Sequence, residues 1–171
     1  MNLEALKKLT EEAEGRVNHL YLDTRGNVTV GVGHMLPSLK HAMLLPFEPA
    51  CDLAFDFHLV SASEVGHPAA HYEHLCKTRL AEADIDAVLY DDTAKFLKEL
   101  RLVVPYLSYP EFVQEAVFDM AYNLGLAGFA KFQHLKAALD ARNWKRCAEV
   151  CHRIGISEER NTRTAELFRS A

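Results

Sequence analysis

The chain is poor in several things, and each shortage excludes something. Its 171 residues include four cysteines, six prolines and a single tryptophan. Four cysteines, at 51, 76, 147 and 151, are too few and too dispersed for a disulfide scaffold. A hydrophobic core must therefore hold the fold. Cys147 and Cys151 share a helical face with Trp144 and Ala148 and read as buried packing, while a Cys51–Cys76 bridge stays open. No apolar run reaches the roughly 18–20 residues that span a bilayer, so no membrane-spanning helix is expected. The start, Met1 to Lys8, has neither the apolar stretch nor the cleavage site of a signal peptide. Basic residues are outnumbered, 19 Lys and Arg against 24 Asp and Glu, for a net charge of −5. With no basic stripe, nucleic acid is excluded as a partner, and long-range attraction to an anionic polymer is missing.

What is present is a folding composition: 49% apolar and 25% charged residues. The length suits one globular domain or two small lobes. Residues 3–14 read as a helix, with Leu3, Leu6, Leu9 and Ala13 near helical spacing and Gly15 at its C-terminal end. Residues 17–33 switch to strand formers, and Thr24-Arg25-Gly26-Asn27 marks the turn of a hairpin. Alternation in Val28-Thr29-Val30-Gly31-Val32 sets Thr29 on the face opposite the valines, turned towards a cleft. Between 35 and 78, Pro37, Pro46, Pro49 and Pro68 break any period, and short helices are expected near 50–60 and 69–77. A long helix follows over 81–101, its apolar stripe interrupted by Asp92. Pro110 suits the first position of a helix over 111–124 that is apolar around most of its circumference. Gly125 and Gly128 predict a turn, and further helices are expected over about 129–139, 143–153 and 161–169. The fold class is α+β, mostly α, with one small hairpin sheet near the N-terminus.

Glu14 and Asp23 flank the junction between the first helix and the hairpin, and Thr29 follows six residues later. Two carboxylates supplied by different elements can face each other across a gap, which is the equipment for cleaving a glycosidic bond. Glu14 lies in the last turn of its helix, where the negative end of the dipole disfavours its charge. Partial burial would act the same way and keep it protonated, as a general acid requires. Asp23 would stay ionised and hold a water. Taken singly, Glu14 is an ordinary surface glutamate, Asp23 a turn-capping aspartate and Thr29 a strand residue.

The combination resembles a known pattern. Glu14-Gly15, Asp23, Thr29 and Gly31-x-Gly33-His34 are similar to the active-site signature of phage-type lysozymes, the endolysin muramidases of glycoside hydrolase family 24. Asp119-Met-Ala-Tyr-Asn123-Leu-Gly125 with Gly128-Phe129 resembles that family's central helix and following turn. Asn161-Thr-Arg163-Thr-Ala165-Glu166 resembles its C-terminal segment, with Thr162 standing where the family has one of two paired arginines. The resemblance implies one lysozyme-like domain over 1–171. A hairpin lobe with an insertion would cover about 12–80 and a connecting helix 81–101. A helical lobe would cover 102–171 together with the first helix, 3–14. It implies hydrolysis, with inversion, of the β-1,4 bond between N-acetylmuramic acid and N-acetylglucosamine in peptidoglycan. Glu14 would be the acid, with Asp23 and Thr29 positioning and activating water. Asn123 and Tyr21 would contact glycan, and His34, Arg160 and Arg163 would support the site, an arginine approaching Glu14. No cofactor or metal is called for.

Other readings stay open beside it. A lytic transglycosylase would need the glutamate but not the water-holding aspartate. A non-catalytic wall-binding module would need neither. His67, His71 and His74 have helical spacing for a metal, but they read better as an exposed histidine patch. Gly31-x-Gly33 lacks the strand–turn–helix context of a nucleotide loop. The expected partner is the glycan strand, and the expected state a monomer. Without a signal peptide, the protein would be made in the cytoplasm. It would reach the wall or periplasm by holin-dependent release or by a secretion machine. In the second case it would be the lysozyme domain of an antibacterial toxin, with an immunity protein as a further partner.

Overall fold

The computed structural model describes the backbone of residues 3–171, and side chains except those of Leu3, Ala13 and Glu14. It is mostly helical, with one three-stranded antiparallel sheet. Two compact units make up the chain, residues 10–92 and residues up to 9 with 93–171. Among the described residues no helix is long and apolar enough to cross a membrane.

The first unit begins in helix α1 (Leu3–Glu14), which ends where Gly15 turns left-handed at φ +75° and its N–H reaches back to the Glu11 carbonyl. Strands β1 (Val17–Leu22) and β2 (Val28–Gly31) form the expected hairpin, Tyr21 opposite Thr29 and Leu22 opposite Val28. A third strand, β3 (His34–Met35), was not legible in the sequence because it is only two residues long. Gly31 and Gly33, both at positive φ, make the turn into it, so the Gly-x-Gly element serves sheet geometry. β2 is thereby the central strand, and all four of its residues are buried. Thr29, expected to face a cleft, is only 2% exposed because both faces of the central strand are covered.

The proline-broken stretch folds as short pieces: α2 (Leu39–Ala42), α3 (Leu53–Ser61) and single-turn helices at Ala50–Asp52 and Ala69–Leu75. They close over the sheet around Leu20, Val30, Phe47, Phe57, Val60, Tyr72 and Leu80. Asp56 of α3 is fully buried, and one of its carboxylate oxygens accepts from the Lys77 and Thr78 N–H groups and from the Thr78 hydroxyl. A buried carboxylate needs such partners, so this one ties the end of the insertion to α3. All four cysteines are free: Cys51 is exposed and Cys76 buried, so the Cys51–Cys76 bridge is not formed.

α4 runs over Glu82–Val103, ending two residues beyond the predicted 81–101. The second unit centres on α5 (Glu111–Phe129), whose Val113, Ala116, Val117, Met120 and Ala121 are buried. Pro110 caps it from outside rather than occupying its first turn. In place of the turn expected at Gly125 and Gly128, α5 only kinks at Gly125 (φ +66°, ψ +159°) and resumes through Gly128 to Phe129. Around α5 lie α6 (Gln133–Asp140), α7 (Trp144–Val150) and α8 (Glu158–Arg169). Cys147 and Cys151 are buried among them, and burial pushes the Cys147 thiol up to about 12. Tyr122 stacks on Phe118 and meets Phe96 edge-on.

Asp119 is the polar exception on α5. Its Oδ2 accepts from Arg153 at 2.8 Å and from the Thr164 hydroxyl at 3.1 Å, and its Oδ1 accepts from Arg160 at 2.9 and 2.8 Å. Arg153 is 1% exposed, and its backbone N–H and carbonyl are both held by the Asn161 amide. Removing one partner of a buried pair leaves the other charge uncompensated, at about 3–5 kcal/mol. Asp119→Asn should therefore lower the unfolding free energy by about that amount in urea denaturation, whereas Glu115→Gln, which loses only the exposed Arg163 pair, should cost under about 1 kcal/mol.

Candidate active site

The sequence places Asp23 at the exit of β1, and the fold gives that carboxylate a defined task. Oδ1 accepts from the N–H groups of Arg25 and Asn27, both at 2.8 Å, and Oδ2 accepts from the Asn27 side-chain amide at 2.9 Å. The Asp23 N–H in turn donates to the Asn27 carbonyl, and the Gly26 N–H to the Asp23 carbonyl. The turn thus wraps around the aspartate, and the turn-capping role is real. A carboxylate offers about four acceptor positions. Three are filled, and the fourth, on Oδ2, is left for a further donor.

These contacts set its charge. Burial pushes the Asp23 carboxyl up, but hydrogen bonds from the Asn27 side chain, the Asn27 and Arg25 backbone, and the Arg25 charge outweigh it. The net effect holds the group below its ordinary value of 3.8. It is ionised at neutral pH and is a weak base.

Thr29 shares a partner with Asp23. Its hydroxyl donates to the Asn27 carbonyl at 3.0 Å, the same oxygen that takes the Asp23 N–H. With its proton committed, the Thr29 oxygen has only lone pairs to offer.

Glu14 ends α1 in the same unit as Asp23 and Thr29, and its side chain lies outside the described residues. The chain just beyond it is anchored by Arg16. That guanidinium pairs with the Glu82 carboxylate, donates to the Glu82 carbonyl at 2.9 Å and to Asp86 at 3.0 Å, and reaches Glu11 at 3.3 Å. The sequence reading missed Arg16, since its partners lie some 66–70 residues away and follow no local pattern. His34, on β3, pairs through Nδ1 with Asp92 of α4 at 2.7 Å. This also accounts for the acidic break in the α4 stripe.

Each of the remaining candidates has local neighbours of its own. Tyr21 sits opposite Thr29 in the hairpin and is half-buried. Asn123, on α5, has a buried side-chain oxygen with no hydrogen-bond partner. Arg160 is engaged with Asp119, and Arg163 with Glu115. Arg153 was also missed, although an aspartate inside an apolar helix signals a cation somewhere. His67 and His71 stack with ring centroids 3.9 Å apart and His74 meets His71 edge-on. Among the described residues no group of three side chains is placed to hold a metal.

A family model described as phage lysozyme matches residues 11–164, and the chain belongs to that family. The match covers the whole hairpin, the insertion and α5, and it reaches into α8. Membership makes this a lysozyme-like protein of the glycosidase type, lytic towards peptidoglycan. No curated relative matches the chain.

The Asp23 environment makes its own prediction about acid stability. A carboxyl whose folded value lies below its unfolded value contributes stability that is full above the unfolded value and is lost as pH falls through the folded one. Asp23→Asn removes that charge. The stability difference between parent and D23N should be constant above about pH 5 and shrink below the ordinary value of 3.8, as read by urea denaturation at a series of pH values.

Proposed function

We propose that the protein is a muramidase that hydrolyses the β-1,4 bond between N-acetylmuramic acid and N-acetylglucosamine with inversion. Glu14 is the general acid, and Asp23 and Thr29 hold the attacking water. The observation that carries this reading is the shared Asn27 carbonyl. It takes both the Asp23 backbone N–H and the Thr29 hydroxyl proton, which supports a water held between the two side chains. A water between them donates one proton to Asp23 Oδ2 and the other to Thr29 Oγ1. Its remaining lone pair is then free for the anomeric carbon.

Bond cleavage proceeds as Glu14 gives its proton to the leaving glycosidic oxygen. Positive charge builds on the sugar ring, and the water becomes acidic as its oxygen bonds to carbon. Asp23 accepts a proton at that late stage, so a weak but permanently ionised base suffices. Inversion asks for a separation of about 6.5–9.5 Å between the two carboxyls, enough to admit the water. Arg16 supports the acid by pinning the chain at its exit, and His34–Asp92 supports the sheet. Tyr21 offers the glycan a partly exposed ring. The wall is reached by holin-dependent release or by a secretion machine.

Glu14→Gln should abolish clearing of purified peptidoglycan, a loss of at least about 100-fold on the scale of acid catalysis, with the thermal melt unchanged. Parent digests should carry reducing ends. Anhydro ends would instead assign a transglycosylase, and parent-rate clearing by E14Q would remove Glu14 from the acid role.

A further inference from the structure

The second unit carries a groove that the proposed chemistry does not use. It has a volume of about 770 Å³ and is lined by Arg142, Asn143, Trp144, Lys145, Phe168 and Arg169, among others. It is an open surface groove rather than an enclosed cavity. Three cations surround it on a protein whose net charge is −5. Among the described residues neither Lys145 nor Arg169 makes an ion pair within 4 Å, and both add to the Arg146 hydrogen bond in holding the exposed Glu149 carboxyl below its ordinary value. Arg146, next in sequence, is occupied with Glu149 at 2.8 Å.

Two details make the groove more than a chance cluster. Trp144 is the only tryptophan, and its ring is braced edge-on by the buried Tyr109 at 5.8 Å. The ring is partly buried against the core, and its remaining exposed part gives the groove an apolar wall. Arg142 follows the last turn of α6 at φ +52°. Its N–H and that of Asn143 close the helix on the carbonyls of Leu139 and Ala138. This is the position glycine normally takes, and among the described residues Arg142 is the one non-glycine at positive φ. Arg142 thus carries a backbone cost at the position that sets its side chain at the groove. The guanidinium spends one donor on the Ser108 hydroxyl at 3.2 Å and keeps the others.

We infer that this groove is a second wall-binding site, taking a sugar ring of peptidoglycan against Trp144 and the carboxylates of its peptide stems against Arg142, Lys145 and Arg169. The inference rests on the peptidoglycan reading for the identity of the polymer and is independent of the Glu14 assignment. Cations and an aromatic ring in one groove match a polymer that is both saccharide and polyanion. The site retains the enzyme on the sacculus between cleavage events, in place of the long-range attraction that its net charge denies it.

Cosedimentation with purified sacculi at 4 °C tests this. Arg142→Gly removes one cation while giving the backbone the residue its φ favours. R142G should therefore melt no lower than the parent, yet bind sacculi several-fold more weakly. The triple variant R142G/K145Q/R169Q should lose at least tenfold. Both should cleave a short soluble muropeptide oligomer at the parent rate. Sacculi with amidated carboxylates should bind the parent as weakly as the triple variant binds untreated ones. Sacculi stripped of phosphate polymers should bind the parent fully. Undiminished binding by the triple variant overturns the site. Should the triple variant fail to fold, undiminished binding by R142G and by R169Q singly does so. Undiminished binding to amidated sacculi, or lost binding to stripped sacculi, overturns the carboxylate assignment. Failure of the E14Q experiment would leave the cosedimentation difference in place, so the two proposals fall separately.

Discussion

The hairpin turn at residues 23–27 is organised by one carboxylate. Asp23 collects two backbone N–H groups and one amide within its own turn. Without it, those donors would have to find water, and Asn27 would lose the contact that orients its side chain. The Asn27 carbonyl then sets Thr29, and Thr29 lies opposite Tyr21 in the register. A single acidic side chain therefore fixes the turn, the register next to it and the charge that the proposed chemistry requires. The same hydrogen bonds that stabilise the turn lower the basicity of the group, so structure and chemistry constrain each other here.

Two more carboxylates do comparable work deeper in the molecule. Asp56 is enclosed and gathers donors from Lys77 and Thr78, so that the irregular segment between 35 and 78 ends at a fixed point. Asp119 is enclosed on α5 and draws Arg153, Arg160 and Thr164 onto it. Helices in this second unit are short apart from α5, and their apolar faces alone would tolerate small slides. Charged hydrogen bonds have tighter geometry than apolar contacts, so the α7–α8 connection takes its path from Asp119. Asn161 completes it by clasping the Arg153 backbone. This gives a physical role to a residue that the sequence marked only by family resemblance.

The protein is acidic overall, yet its cations are not spread evenly. Arg16, Arg153 and Arg160 are consumed by internal carboxylates. Arg142, Lys145 and Arg169 instead line the groove beside Trp144. Net charge describes the far field of a protein, and a cluster within a Debye length, about 8–10 Å, governs contact. An acidic enzyme can hold an anionic polymer through such a patch without being steered to it from a distance.

The sequence by itself determined a good deal. Periodicity gave α1, α4 and the apolar α5, and turn chemistry gave the hairpin, since these signals are local and repeat along the chain. Gly125 marked a break for the same reason, although the helix resumes beyond it where a turn was expected. The order of Glu14, Asp23 and Thr29 pointed to the family that the comparison then established. Tertiary structure decided what local signals do not encode. β3 exists only because β2 offers it an edge, and two residues carry no period. Thr29 is buried, as is every residue of the central strand β2, which alternation along one strand does not reveal. Asp92 looked like a gap in a stripe until the fold brought His34 to it from 58 residues away. Arg16 and Arg153 read as ordinary cations until distant carboxylates closed on them. Partners separated by tens of residues meet only when the core condenses, and no spacing rule records them in advance.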